Sequence, residues 1–255
     1  ANRAAADAHD LFKPLVETAR FKQLVSEPVA GKVIQGPMLG DLTSESAKVW
    51  VRTATATNVS VTAIDLETND KLPTPVNPTA AEQDYTTVVR VPDLKPNHPY
   101  RYEVQVDGRT VDLGYPTTFT TPPARGQPFK FKVAFGGGAG YVPEHERMWD
   151  TIAGFKPYAL FMLGDNMYSD DPQSPTMQRF CYYRRQSPLG YRRLIAGTAV
   201  YSIWDDHDFG TNDCSGGPEI DKPAWKRTVW ETFRNNWVNP GYGGGQERQT
   251  DQNCW

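Results

Sequence analysis

The chain has 255 residues, of which 38% are hydrophobic and 22% charged, and it carries a formal net charge of −3. This length can bury two modest hydrophobic cores, and no apolar run approaches the length of a membrane span. The slight negative charge gives no electrostatic reason to expect a nucleic acid or an anionic membrane as a partner.

The pattern of apolar residues changes at about residue 30. Residues 1–29 carry apolar side chains at helical spacing, which predicts a helical arm that packs on the rest. Residues 30–123 instead form short runs with an apolar residue at every second position, such as Ala47–Arg52 and Tyr100–Val106, separated by turn sequences. This pattern predicts an antiparallel β-sandwich, and Leu94–Tyr102 resembles the corner of a fibronectin type III module.

Beyond a proline-rich linker, residues 127–255 alternate between strand and helix patterns. Three strand–helix units in series imply parallel strands with right-handed crossovers, which predicts an α/β domain. The predicted strands are Lys130–Phe135, Tyr158–Leu163 and Ala199–Trp204, and the predicted helices are about 143–155, 175–191 and 222–237.

Two acidic motifs directly follow the second and third of these strands. They are Gly164-Asp165-Asn166-Met167-Tyr168 and Trp204-Asp205-Asp206-His207-Asp208. Open α/β sheets bind ligands at the carboxyl ends of their strands, and carboxylate oxygens suit hard metal ions. Three carboxylates around one imidazole are costly to bury unless a cation balances them. The motifs therefore predict a metal site, with an ordinary turn-capping aspartate and a helix N-cap cluster as the structural alternatives.

Taken together, the two motifs resemble the PhoD-type alkaline phosphatases and phosphodiesterases. These are relatives of the purple acid phosphatases among the calcineurin-like metallophosphoesterases, and both groups commonly carry a β-sandwich ahead of the catalytic domain. The resemblance covers about residues 32–255. It implies hydrolysis of phosphate mono- or diesters by a metal-bound hydroxide, in a secreted or periplasmic protein. It also implies iron and calcium as the metals, with zinc or manganese as alternatives.

The resemblance gives each matched residue an expected role. Asp165 would bridge two metal ions, and Tyr168 would ligate the redox-type ion. Asp206 would take the place of the usual asparagine ligand, and His207 would stabilise the transition state or protonate the leaving oxygen. The weaker candidates are Asp205 and Asn212 as supporting residues, Asp171 for its place in the first acidic loop, and the backbone of Gly137 and Gly138 for approach to a phosphate.

Two features depart from the family pattern. Family members carry a metal-binding cysteine or aspartate at the end of the first catalytic strand, where this chain has Gly136-Gly137-Gly138. The family also supplies further histidines from a later half of the domain, whereas this chain has four histidines in all. With half of its sheet, the domain would leave Ala199–Trp204 as an exposed edge strand.

These departures favour a second hypothesis, in which the chain is a non-catalytic or repurposed relative. It would then act as a binding or assembly subunit that lacks the full ligand set, with the remaining half of the catalytic domain as a candidate partner. A hydrolase that uses the same clusters on another ester is a third hypothesis, because a fold does not fix a function.

Overall fold

The structure is a computed structural model, and it describes residues 17–19, 32–215, 219 and 221–242. Most of the predicted arm at 1–29 therefore lies outside the described residues. In the described part of the chain, no helix has the length and apolar character needed to cross a bilayer.

Strands and helices follow the order that the sequence predicts, with the strands concentrated in the first half. The strands are β1 Val33–Gly40, β2 Ala47–Thr53, β3 Asn58–Asp65, β4 Lys71–Pro73, β5 Asn77–Pro78, β6 Thr86–Val91, β7 Pro99–Val106, β8 Arg109–Thr110, β9 Thr118–Thr120, β10 Val133–Gly136, β11 Ala159–Leu163 and β12 Ala199–Ile203. The helices are α1 Met148–Gly154, α2 Pro175–Gln186, α3 Leu189–Gly197, α4 Asp206–Phe209 and α5 Lys226–Asn236.

Two sheets enclose the first core. One sheet has the order β10-β11-β12-β1-β2-β6, and the other has the order β4-β3-β7-β8, with β5 beside β3 and β9 beside β7. Residues on β7 alternate between buried and half-buried along the strand, because side chains of a strand point to opposite faces in turn. Val49 from the first sheet and Val61 and Val104 from the second are fully buried in the core between them.

The corner predicted at Leu94–Tyr102 is present. Leu94 is buried, and the backbone N–H of Lys95 donates a hydrogen bond of 2.9 Å to the hydroxyl of Tyr100. This bond closes the connection from β6 onto the start of β7, which explains why leucine and tyrosine occur together in this turn.

The prediction of an exposed edge at the third α/β strand is wrong. β12 pairs with β11 on one side, and on the other side it pairs in parallel with β1 through Gly40 and Val200. The physical reason is that β1 has an open edge on the side away from β2, and β12 pairs with the end of that edge. The α/β strands therefore continue a sheet of the sandwich, and β10 forms the edge at that end of the sheet among the described residues.

The helix predicted over residues 175–191 is also wrong as a single element. It consists of α2 and α3, which are separated at Pro188. Proline lacks a backbone N–H and its ring clashes with the carbonyl four residues earlier, so the helix cannot pass through this position without a break. The helix predicted over 143–155 is a 3-10 turn at Pro143–His145 followed by α1.

The helices cover one face of the α/β strands, and this packing fixes the strand ends. β10, β11 and β12 pair in parallel, as predicted, with Leu163 of β11 opposite Ile203 of β12. Trp149 of α1, Tyr182 of α2 and Phe233 of α5 lie in one buried cluster with residues of the sheet. The loops that leave β11 and β12 therefore start side by side from a rigid support.

Candidate metal centre

The two acidic loops touch immediately after their strands end. Gly164 has φ +96°, and a Cβ at this position would lie 2.5 Å from the Cβ of Asp205 in the other loop. Only glycine combines this backbone conformation with such a close approach. The glycine before Asp165 therefore lets the two loops come together.

Asp165, Asp206 and His207 converge at this point. Each offers one ligand atom, and these atoms all lie within 4.8 Å of one another. Asp165 has φ +51°, a left-handed conformation that is strained for most residues other than glycine and that recurs at functional sites. The structure thus brings together one side chain of the first motif, Asp165, and two of the second, Asp206 and His207.

The oxygen atoms of this cluster suit a hard metal ion. Oδ1 of Asp165 is buried and has no hydrogen-bond partner among the described residues, and a buried acceptor without a donor is unfavourable. Burial raises the pKa of Asp165, while the hydrogen bond from Tyr168 acts in the opposite direction. A cation beside Oδ1 would give this oxygen a partner and would offset the cost of burying the charged carboxylate. Two carboxylates and an imidazole are suitable ligands for such an ion.

Tyr168 lies beside the cluster. Its hydroxyl donates a hydrogen bond of 3.0 Å to Oδ2 of Asp165, and its ring centroid is 4.3 Å from that of His207. Burial, and then the hydrogen bond to Asp165, raises the pKa of Tyr168 to about 12. Tyr168 is therefore a neutral donor to Asp165, placed where its oxygen is close to the cluster.

Backbone amides hold Asp206 in its ionised form. Oδ1 accepts from the N–H of His207 at 2.8 Å, and Oδ2 accepts from the N–H of Asp213 at 2.5 Å. The amide of Asp213 is the largest cause of the lowered pKa of Asp206. Asn212 donates to the carboxylate of Asp213 at 2.6 Å, so it supports the residue that holds Asp206.

Asp170 orients the imidazole of His207. Nδ1 of His207 lies 2.5 Å from Oδ1 of Asp170. Burial lowers the pKa of His207, but the carboxylate of Asp170, followed by those of Asp165 and Asp206, outweighs it and leaves that pKa raised. This contact leaves Nε2 as the ring nitrogen for another partner. The sequence showed Asp170 in an acidic loop but gave no signal for its pairing with His207.

Asp208 joins the two loops, a role that the sequence analysis missed. Its buried carboxylate accepts hydrogen bonds from the backbone N–H groups of Asn166 at 3.0 Å, Met167 at 3.1 Å and Asp205 at 3.1 Å. Burial raises the pKa of Asp208 to about 7. The signal was present in the spacing, because Asp205 and Asp208 form a capping box at the start of α4.

The glycine loop after β10 packs against the first acidic loop. The N–H of Gly138 donates to the carbonyl oxygen of Gly164 at 3.2 Å. A Cβ on Gly138 would lie 3.7 Å from the hydroxyl of Tyr168, and one on Gly137 would lie 3.3 Å from the carbonyl oxygen of Gly164. Position 138 therefore faces the cluster, and its glycine contributes no side-chain ligand.

Two of the weaker candidates lie at the margin of the cluster. Asp205 is exposed and its Oδ1 accepts from the N–H of Asp206 at 2.9 Å, so it caps α4. Asp171 is exposed, and its carbonyl oxygen accepts from the N–H of Ser174 at 3.2 Å. Neither belongs to the group of atoms within 4.8 Å of one another.

Comparison with known proteins places the fold. Residues 30–124 match a sequence family described as a domain of unknown function (DUF7800), and no curated protein matches the chain. Among solved structures, PhoD aligns with a TM-score of 0.70 and 17% identity, over 85% of this chain and 48% of the PhoD chain. The chain thus spans about half the length of PhoD. An identity this low supports a PhoD-like fold and nothing finer.

Two further structures align with lower scores, over smaller parts of the chain. The sensor domain of the anti-sigma factor RsgI4 from Pseudobacteroides cellulosolvens has a TM-score of 0.29 and 16% identity, over 39% of this chain and 97% of its own. A fibronectin type III domain of human KIAA0970 has a TM-score of 0.31 and 12% identity, over 45% of this chain and 90% of its own. Scores at this level add no argument about fold or function.

Proposed function

We propose that this chain belongs to a metal-dependent phosphoesterase that hydrolyses phosphate mono- or diesters. The observation that carries the proposal is the convergence of Asp165, Asp206 and His207 within 4.8 Å at the carboxyl ends of two parallel strands. The motif resemblance and the PhoD-like fold support it. The source compartment, secreted or periplasmic, is part of the same proposal.

The acidic side chains would hold the metal. Asp165 has one buried carboxylate oxygen without a donor, and Asp206 is kept ionised by backbone amides. These are oxygen ligands for iron, calcium, zinc or manganese. A bound ion of this kind supplies Lewis acidity and lowers the pKa of coordinated water. The hydroxyl of Tyr168, 3.0 Å from the carboxylate of Asp165, would be a further oxygen ligand for the metal once it has lost its proton.

His207 would donate a proton to the oxygen of the leaving group. Asp170 fixes Nδ1 and raises the pKa of the imidazole, so the ring holds a proton that Nε2 can donate. An ester leaves more readily when its oxygen is protonated, and a positioned imidazolium can supply that proton. Asp170 is in this scheme a positioning residue, and it acts through His207.

A second candidate function is a binding or assembly subunit without catalysis. One observation favours it, because Gly138 faces the hydroxyl of Tyr168 from a position where a ligand is expected, and glycine has no side chain. Such a subunit would keep the loops ordered through Asp208 and still bind metal weakly or not at all. Metal content separates the two candidates.

The test uses the full protein, purified without chelator, with bis-nitrophenyl phosphate and nitrophenyl phosphate as substrates. We expect a stoichiometric metal ion and turnover of at least one substrate. Asp206→Asn should lower both metal affinity and turnover by about a hundredfold or more, since even groups that only orient ligands are worth 10- to 100-fold. Asp171→Asn, in an exposed position, is the matched control and should change neither.

Two results would contradict the proposal. The first is a wild-type protein with ordered loops that binds no metal, which supports the binding subunit instead. The second is an Asp206→Asn variant that turns over phosphoesters at the wild-type rate.

A further inference from the structure

A large cavity lies at the end of the sheet opposite to the metal centre. Its volume is about 880 Å³, within the range of cavities that bind small ligands. Residues 129–132 precede β10 and residues 156–158 precede β11, whereas the acidic loops follow β11 and β12. Because these strands are parallel, the cavity and the metal centre are at opposite ends of the same strands.

The cavity is positively charged although the chain is slightly acidic. Among the described residues that line it, the basic ones are Lys130, Lys132, Lys156 and Arg193, and none is acidic. Arg193 reaches Asp150 at 3.4 Å, and both side chains are about half exposed, so this contact neutralises little. Lys132 donates to the carbonyl oxygen of Phe155. Within the described residues, Lys130 and Lys156 form no ion pair.

Aromatic rings stand beside these cations. Phe129 stacks on Phe131 with centroids 5.2 Å apart, and it meets Tyr158 edge to face at 5.0 Å. Phe131 is nevertheless 58% exposed. The rings therefore offer an apolar face of the kind on which an aromatic ligand can stack.

Lys156 occupies a backbone position that lysine seldom takes. It has φ +51° and follows Phe155, the C-cap of α1, and its N–H donates to the carbonyl oxygen of Ala153 at 2.9 Å. Helices usually end in this conformation with glycine or asparagine. Any residue other than proline could form this backbone hydrogen bond, so the lysine side chain does not improve the end of the helix. It contributes its positive charge at the cavity.

We infer that this cavity binds a small organic anion with an aromatic body. The anionic group pairs with the ammonium groups of Lys130 and Lys156, which form no ion pair among the described residues, and the ring stacks on Phe129 and Phe131. Charge complementarity selects an anion, and the exposed ring selects an aromatic one. This site is independent of the proposed phosphoesterase centre, because it shares no residue with it.

The test uses anilinonaphthalene sulfonate, a fluorescent aromatic anion, with the full protein. We expect saturable binding that weakens as salt is raised from about 0.1 M to about 1 M, because salt screens exposed charges. The double variant Lys130→Gln/Lys156→Asn should lose about tenfold or more in affinity, which corresponds to 1.4 kcal/mol. Asparagine tolerates the backbone conformation at position 156, so this variant should fold.

Matched controls locate the dye. Lys71→Gln/Arg109→Gln removes two exposed charges of the second sheet and should leave affinity unchanged. Phe131→Ser should weaken binding by about tenfold, whereas Phe135→Ser, at a residue 72% exposed on the sheet face, should not. Treatment with a chelator should have no effect, which separates this site from the metal centre.

Three outcomes would overturn the inference. Equal affinity of the wild type and the lysine double variant would show that the charges are not used. Loss of binding in Phe135→Ser alone would place the dye on the exposed sheet face. Equal affinity for uncharged phenylnaphthylamine would mark the cavity as a general apolar surface, open to another chain segment or a second copy.

Discussion

Two groups of carboxylates in this molecule differ in whether cationic side chains of the protein pair with them. In the sandwich, Asp65 is fully paired: its side chain is 2% exposed and lies 2.8 Å from both Nζ of Lys95 and Nε2 of His98. Its Oδ1 also accepts from the backbone N–H groups of Glu67 and Thr68. At the sheet end, no lysine or arginine of the described residues forms an ion pair with Asp165, Asp206 or Asp208.

The pKa shifts follow from this difference. Lys95, followed by His98 and the amides, outweighs burial and holds the pKa of Asp65 well below its usual range. At the sheet end burial raises the pKa values of Asp165 and Asp208, and mainly backbone amides lower that of Asp206, without help from a lysine or arginine. The carboxylate of Asp65 is balanced within the protein by Lys95 and His98, whereas Asp165 and Asp206 leave negative charge that a cation from solution can balance. That contrast is the basis for assigning chemistry to one region and structure to the other.

A change at the contact that joins the two loops should affect stability and metal binding most strongly. Gly164→Ala should destabilise the protein by about 2–5 kcal/mol, the sum of left-handed strain of about 1–2 kcal/mol and steric displacement of about 1–3 kcal/mol. It should also abolish metal binding, because the new Cβ would lie 2.5 Å from that of Asp205. Urea unfolding and metal titration measure the two effects.

Gly114→Ala is the matched control for this change. Gly114 has φ +71° and nothing within 4 Å of an added Cβ, so it carries the strain without the clash. If both variants lose the same stability and both keep the metal, the close approach of the loops is not what the site requires.

The second prediction separates the two carboxylate groups by their response to metal. An ion at a hundred times its dissociation constant should stabilise the wild type by about 2.7 kcal/mol. Asp165→Asn should remove this increment, whereas Asp65→Asn should lower stability and leave the increment intact. Thermal unfolding with and without metal measures it, and an increment that survives Asp165→Asn would place the ion elsewhere.

The third prediction concerns pH in the metal-free protein. Asp65 has a lowered pKa, so the stability it contributes is present above its unfolded pKa of about 3.9 and is lost as pH falls below it. Asp208 has a folded pKa of about 7, so the folded state holds a proton that the unfolded state releases near pH 3.9. The stability that Asp208 contributes to the folded protein therefore falls as pH rises from about 4 to about 7.

Paired variants test these opposite signs. Asp208→Asn should flatten the loss of stability between pH 4 and 7, and Asp65→Asn should flatten the loss at lower pH, both measured by urea unfolding. A wild-type slope retained in Asp208→Asn between pH 4 and 7 would show that this carboxyl is already ionised in the folded protein.

The sheet-end side of this contrast was accessible from the sequence, and the reasons are physical. The strands before both acidic motifs are continuous apolar runs, so they predict buried parallel strands whose ends meet. The pairing of Asp65 with Lys95 and His98 was not accessible, because it depends on which residues the sandwich brings together from 30 or more positions apart. The bridging role of Asp208 was partly accessible, since the capping spacing was visible but its contacts to Asn166 and Met167 were not.

Other differences had a local cause. Pro188 was visible in the sequence and should have ended the helix predicted over 175–191. The pairing of β1 with β12 joins strands about 160 positions apart, through a single pair of residues. A hydrophobic pattern cannot specify which of two buried strands lies next to a third.

A change at Asp170 should have a weaker effect than the changes above. Asp170→Asn should lower turnover by about tenfold and should shift the alkaline limb of the rate profile to lower pH, because this carboxylate raises the pKa of His207. Asp171→Asn should leave the profile unchanged. A drop in rate without a shift of the limb would assign Asp170 to the loop's structure rather than to the imidazole.

The most direct measurement is anomalous diffraction from a crystal of the full protein grown with manganese. We expect an anomalous peak bonded to Oδ1 of Asp165 and to a carboxylate oxygen of Asp206, with His207 beside it. Well-ordered acidic loops without a peak, or an ion bound only at some other group of the chain, would contradict it.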